Sequence, residues 1–124
     1  MKELTKAEEQ LMQYLWSLKT AYLKDIVEQY PAPAPAYTTI STVVNVLVKK
    51  GFIGFETHGK SREYYPLLTK EKYTRQSMNG LMSSFFDNST KKFASFFTSQ
   101  DDLSVEELKE IRKLIDEQIA QRKP

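Results

Sequence analysis

The stretch Thr38-Thr39-Ile40-Ser41-Thr42-Val43-Val44-Asn45-Val46-Leu47-Val48-Lys49-Lys50, closed by Gly51, supports two opposite readings. Its density of β-branched residues favours a strand, because such side chains sit well on a pleated surface. Its spacing favours a helix: Ile40, Val43, Val44, Leu47 and Val48 recur at i, i+3, i+4, i+7 and i+8, a single apolar stripe. Packing of such a stripe outweighs intrinsic propensity, so the segment is read as an amphipathic helix. Gly51 suits the left-handed residue that ends a helix, and Lys49 and Lys50 suit the negative end of its dipole.

Upstream, Thr5 and Glu8 form a capping box ahead of Ala7, Leu11, Tyr14, Leu15 and Leu18, which predicts a helix from about Lys6 to Leu18. Leu23, Ile26, Val27 and Tyr30 mark a short second helix. It is stopped by Pro31-Ala32-Pro33-Ala34-Pro35-Ala36, whose prolines lack N–H donors and force their predecessors out of the helical region. That segment reads as a stiff connector. Downstream, Phe52–Thr57 and Arg62–Leu67 are rich in aromatic residues and flank the turn signal His58-Gly59-Lys60-Ser61, the pattern of a β-hairpin. Three helices and then a hairpin is the order of a winged helix-turn-helix.

From Thr69 the chain is again helical. One helix carries Tyr73, Met78, Leu81, Met82, Phe85 and Phe86. A short one starting at Asn88 or Ser89 carries Phe93, Phe96 and Phe97. A last one opens with the capping box Ser104/Glu107 and the staple Leu103/Leu108, then carries Ile111, Ile115 and Ile119. The expected fold class is therefore mainly α with a small β-hairpin. A winged-helix DNA-binding domain is expected over 1–68 and a helical dimerisation domain over 69–124.

Composition narrows the function. The chain of 124 residues has no cysteine and one histidine, which removes disulfides, thiol nucleophiles and thiolate metal sites and leaves no basis for a transition-metal centre or a catalytic triad. No constellation of acid, base and nucleophile stands out, so an enzyme is not expected, and neither is a cofactor. The charged N-terminus has no apolar signal-peptide core, and no apolar run spans a bilayer, so a cytoplasmic location without membrane insertion is expected. The net charge of +2 is modest, but from Pro31 to Phe55 there is no acidic residue at all. Local charge matters more than the total for a contact surface.

On the helix of Thr38–Lys50, residues Thr38, Ser41, Thr42, Asn45 and Lys49 share the arc opposite Ile40, Val44 and Leu47. Short neutral side chains allow close approach and can hydrogen-bond base edges and phosphates in a major groove. A solvated polar face is the ordinary alternative, and the hairpin directly after it tips the balance toward DNA. Lys60 and Arg62 at the hairpin tip can reach a phosphate backbone or the minor groove. The aromatic and methionine stripe of Met78, Leu81, Met82, Phe85, Phe86, Phe93, Phe96 and Phe97, with Leu108, Ile111 and Ile115, is read as core and subunit interface of a homodimer.

These residues resemble the penicillinase-repressor family over nearly the whole chain. The likeness lies in Leu4-Thr5-Lys6-Ala7-Glu8 with Trp16, in Tyr37–Thr42, in Leu47-Val48-Lys49-Lys50-Gly51-Phe52-Ile53, in Tyr64-Tyr65-Pro66-Leu67 and in Asp102–Leu108. The resemblance implies repression through an inverted-repeat DNA operator bound by a homodimer. Thr38, Thr39, Ser41 and Thr42 would lie at the groove, with Lys49, Lys50 and the wing on the backbone. Val46 stands where the family commonly has an arginine, which removes a phosphate or base contact. The cysteine cluster of copper-responsive members is missing, so copper sensing is not expected. In β-lactam-responsive members a membrane sensor pathway leads to proteolysis between an asparagine and a phenylalanine. The matching region here is Phe93-Ala94-Ser95-Phe96-Phe97, where Phe96 replaces the asparagine. Two other functions fit the same pattern: a winged-helix protein-interaction module, and a regulator gated by a small molecule among the C-terminal aromatics.

Overall fold

The computed structural model describes residues 3–122, which form two compact units divided between Gln76 and Ser77. The first contains α1 (Lys6–Leu18), β1 (Ala21–Tyr22), α2 (Leu23–Gln29), α3 (Tyr37–Lys50), β2 (Ile53–His58) and β3 (Ser61–Pro66). The division falls inside α4 (Lys70–Phe85), and the second unit continues through α5 (Thr90–Thr98) and α6 (Val105–Gln121).

The segment Tyr37–Lys50 is a helix, as its period requires, and Ile40, Val44 and Leu47 are its buried residues. Gly51 ends it with φ 85°, in the left-handed region. Its N–H reaches back to the Val48 carbonyl at 3.1 Å. The strands β2 and β3 pair antiparallel from Ile53↔Pro66 to His58↔Ser61, leaving Gly59 and Lys60 as a two-residue loop. Gly59, with φ 64°, supplies the left-handed first position that tight hairpins need.

The sheet has three strands, not two. β1 pairs antiparallel with β3 (Ala21↔Tyr64, Tyr22↔Glu63), giving the order β1-β3-β2. Two residues are too few to show a period, which is why β1 has no signature of its own. The chain enters it through Lys19, whose φ of 71° and ψ of −53° form a tight three-residue turn closed by Thr20 N–H to the Leu18 carbonyl at 2.9 Å.

The core of the first unit is contiguous: Leu11, Met12 and Leu15 from α1, Ala21, Ile26 from α2, the α3 stripe, and Phe52, Ile53 and Tyr64. Ala7, expected on the apolar stripe of α1, is exposed, and Met12 takes a core place instead. Trp16 Nε1–H donates to the Leu68 carbonyl at 2.8 Å and Tyr73 Oη to Glu9 at 3.0 Å, so the chain beyond the hairpin is stitched back onto α1.

In the second unit no residue of α5 or α6 is buried. Phe86 packs edge-on to Phe93 (centroids 5.4 Å apart) and beside Phe96 (5.6 Å), while Phe93 stacks on Phe97 at 5.9 Å. This aromatic knot joins the end of α4 to α5. Both predicted caps form: Ser89 accepts from the Lys92 N–H, and Ser104 and Glu107 make a reciprocal capping box. None of the described helices is long and apolar enough to cross a membrane.

Candidate nucleic-acid interface

The side of α3 turned away from the core presents Thr38, Thr39, Thr42, Asn45 and Lys49, all exposed, with Ser41 half-buried beside them. The Thr42 hydroxyl donates to the Thr38 carbonyl at 2.9 Å. Its hydrogen is therefore occupied, and what the side chain offers outward is a lone pair and a methyl group. Asn45 carries both a donor and an acceptor, and no hydrogen bond within the chain engages them among the described residues.

A cleft of about 650 Å³ runs from this helix to the hairpin. Ser41 and Asn45 line one wall and Lys60 and Arg62 the other, so residues brought from distant parts of the sequence face one space. The Arg62 guanidinium lies 4.3 Å over the Phe55 ring, which restrains its long side chain and leaves its N–H edges available. Strand alternation sorts charge across the wing. Phe55, Thr57, Arg62 and Tyr64 share one face, while Glu56, His58 and Glu63 share the other. There His58 Nε2 sits 3.1 Å from Glu63 Oε1 and 3.8 Å from Glu56, so the wing's carboxylates lie across the sheet from Arg62.

Lys50 does not join the other cations. Its Nζ holds both carboxylate oxygens of Glu8, at 2.8 and 2.9 Å, tying the end of α3 to the start of α1. Glu8 is only 6% exposed and also accepts the Thr5 N–H at 2.8 Å. Burial pushes its carboxyl pKa up, but the Lys50 and Thr5 hydrogen bonds and the Lys50 charge outweigh that and hold it below the ordinary value of 4.5. Lys50 thus serves the packing of α3 rather than its outer surface. Sequence reasoning identified Glu8 only as a capping residue; its second partner lies 42 positions away and leaves no local signal.

Among the other residues that line the cleft are Lys24, exposed on α2, and Tyr37, 55% exposed at the start of α3, neither of which the sequence assigned to a DNA contact. Tyr37 lies one residue outside the polar arc, and Lys24 belongs to a different helix, so neither could be assigned from the period of α3.

The residues expected at a subunit interface lie in a different setting. Met78, Leu81, Phe85, Phe96, Phe97 and Ile115 are exposed, and Met82, Phe86, Phe93, Leu108 and Ile111 are half-buried. Phe85 is 75% exposed. Ile111, Ile115 and Ile119, with Leu114, form a largely apolar hollow along α6, edged by Gln118 and Arg122. Phe96 and Phe97, in the possible cleavage region, both lie within the helix α5.

The penicillinase repressor family profile matches residues 4–117. The methicillin resistance regulatory protein MecI of Staphylococcus aureus is 25% identical over 114 residues, covering 91% of this chain and 93% of its own. The penicillinase repressor of Bacillus licheniformis is 21% identical over 116 residues, with coverage of 93% and 91%. Among solved structures, the DNA-binding domain of the repressor BlaI superposes with a TM-score of 0.51 at 22% identity, covering 59% of this chain and 94% of that one, a likeness of fold. With its winged-helix first unit and a match spanning nearly its full length, the chain belongs to the penicillinase repressor family, whose members are transcriptional repressors and not enzymes.

Proposed function

We propose that this chain represses transcription as a homodimer that binds an inverted-repeat DNA operator, each subunit laying α3 in the major groove of one half-site. The observation that carries the proposal is the shared cleft, on which the outer face of α3 and the cations of the wing converge. In this reading Thr38, Thr39, Ser41, Thr42 and Asn45 meet base edges and nearby phosphates, and Lys49, Lys60 and Arg62 meet the backbone. The winged helix carries DNA binding, and the helices that follow carry dimerisation.

The apolar faces of α5 and α6 support the second half of the proposal. A chain with Phe85, Phe96, Leu114, Ile115 and Ile119 in water gains by covering them with a second copy. The hollow on α6 is lined by that helix and its capping residue Arg122, which suits a contact surface between subunits better than an enclosed ligand cavity. Release by a membrane-sensor protease at 93–97 would require α5 to unwind, since Phe96 and Phe97 are helical and Phe93 stacks on Phe97. Coexpression with such a sensor, followed by mass spectrometry of the induced chain, tests that step; an intact chain counts against it.

The DNA reading is tested by gel shift on the promoter regions flanking this chain's own gene, against random duplex at several salt concentrations. A salt-sensitive complex of two subunits on one region is expected. A folded dimer that binds no duplex at low salt overturns the proposal in favour of a protein-interaction role.

A further inference from the structure

The wing of this fold could meet DNA in either of two ways, by inserting its tip into the minor groove or by gripping a backbone that passes beside α3. We infer that the cleft between α3 and the wing is a clamp for a single stretch of phosphodiester backbone, closed from a third side by Lys24 of α2 and flanked by Tyr37 at the start of α3. The inference rests on the DNA-binding reading and adds to it two residues, Lys24 and Tyr37, that act with the wing on the same phosphates.

Three elements supply the clamp. Lys24 comes from α2, Tyr37 with Ser41 from α3, and Lys60 with Arg62 from the wing; all five line the same cleft. No carboxylate is among its lining residues. The acid in the first turn of α2, Asp25, is turned to its own backbone and accepts the Tyr22 N–H at 3.0 Å. The wing's Glu56 and Glu63 are on the opposite face of the hairpin, gathered about His58. The space is thus bordered by Lys24, Lys60, Arg62 and hydroxyl groups, with its neighbouring acids held elsewhere. Such a surface suits an anion that offers repeated charges and oxygen acceptors along a line, as a nucleic-acid backbone does. Stacking on Phe55 fixes the Arg62 guanidinium at the cleft wall. A wing that entered the minor groove would use Arg62 apart from Lys24, whereas a clamp makes the two act on the same few phosphates.

The test is a double-mutant cycle in the full-length protein, with Lys24→Ala, Arg62→Ala and the pair, on the operator duplex and on random duplex across a salt series. Lys24 is exposed, and circular dichroism with thermal unfolding checks that each variant is folded. The clamp predicts that Lys24→Ala weakens both duplexes by the same several-fold factor and lowers the salt slope by about 1. It also predicts that the double variant loses less than the product of the single losses. Tyr37→Phe should cost a smaller, equally unselective factor. A salt slope unchanged by Lys24→Ala, or single losses that multiply without coupling, overturns the clamp while leaving DNA binding intact. Failure of the unaltered protein to bind any duplex overturns the DNA reading and the clamp together.

Discussion

The two units of this chain solve the burial problem differently. The winged helix closes a core of its own, with Leu11, Leu15, Ile26 and Leu47 fully inaccessible. The helices beyond Gln76 bury none of α5 or α6 and leave a ladder of isoleucines and phenylalanines in solvent. Both regions have amphipathic helices with good caps. What differs is the sheet: the hairpin and β1 give α1 and α3 a surface to close against. Amphipathicity predicts a helix but not its partner. Apolar periods of similar clarity lead to a finished core in one region and to an open face in the other.

That contrast can be broken by experiment. The largest effect expected is from Ile115→Glu, which places a charge on the exposed stripe of α6. Sedimentation should show a single-chain mass. Operator affinity should fall on the order of a hundredfold, because two coupled half-site contacts become independent. A variant that stays dimeric would move the interface away from α6. Next comes Leu47→Ala, in the closed core, with a loss of about 2–5 kcal/mol in denaturant unfolding. Its loss should not depend on protein concentration, whereas the transition of the second unit should.

A smaller effect attaches to the Glu8–Lys50 pair. Because the folded Glu8 carboxyl lies below its ordinary 4.5, its stabilisation is present in full above that value and is lost as pH falls through the lower folded one. Lys50→Met should cost on the order of 2 kcal/mol at neutral pH, between the values for exposed and buried pairs. Glu8→Gln should flatten the acid limb of the stability profile. An unchanged acid limb would remove Glu8 from the account. The smallest effects belong to the outer face of α3. Lys49→Ala should weaken all sequences alike and reduce the salt slope by about 1, while Thr42→Ala and Asn45→Ala should change sequence preference. Equal losses on operator and random DNA for all three would erase the division between backbone and base contacts.

How much of this was legible in advance follows the range of the interactions. The helix of Thr38–Lys50 was readable against its own β-propensity because its apolar period, from Ile40 to Val48, is sustained over about two and a half turns. The caps at Thr5 and Ser104 were readable because their partners lie three residues away. The hairpin turn showed itself through Gly59. What could not be read depends on distant partners: β1 exists only through its pairing with β3, Lys50 turns inward only because Glu8 is there, and Lys24 reaches the cleft only through the packing of α2. Lys50 is the instructive case. By local charge it is indistinguishable from Lys49, yet one is exposed and the other anchors a helix.

Gly51 is a single left-handed joint between the helix proposed to read sequence and the wing proposed to grip backbone. Helix and wing therefore share one angular setting that a residue with a side chain rarely adopts. A lineage derived from this chain could not easily re-aim one without the other. New target sequences would have to arise by exchanging side chains at positions such as Thr39, Thr42 and Asn45, with the frame that carries them held constant. The joint acts as a constraint on divergence, confining it to the lettering of the recognition surface and excluding its posture.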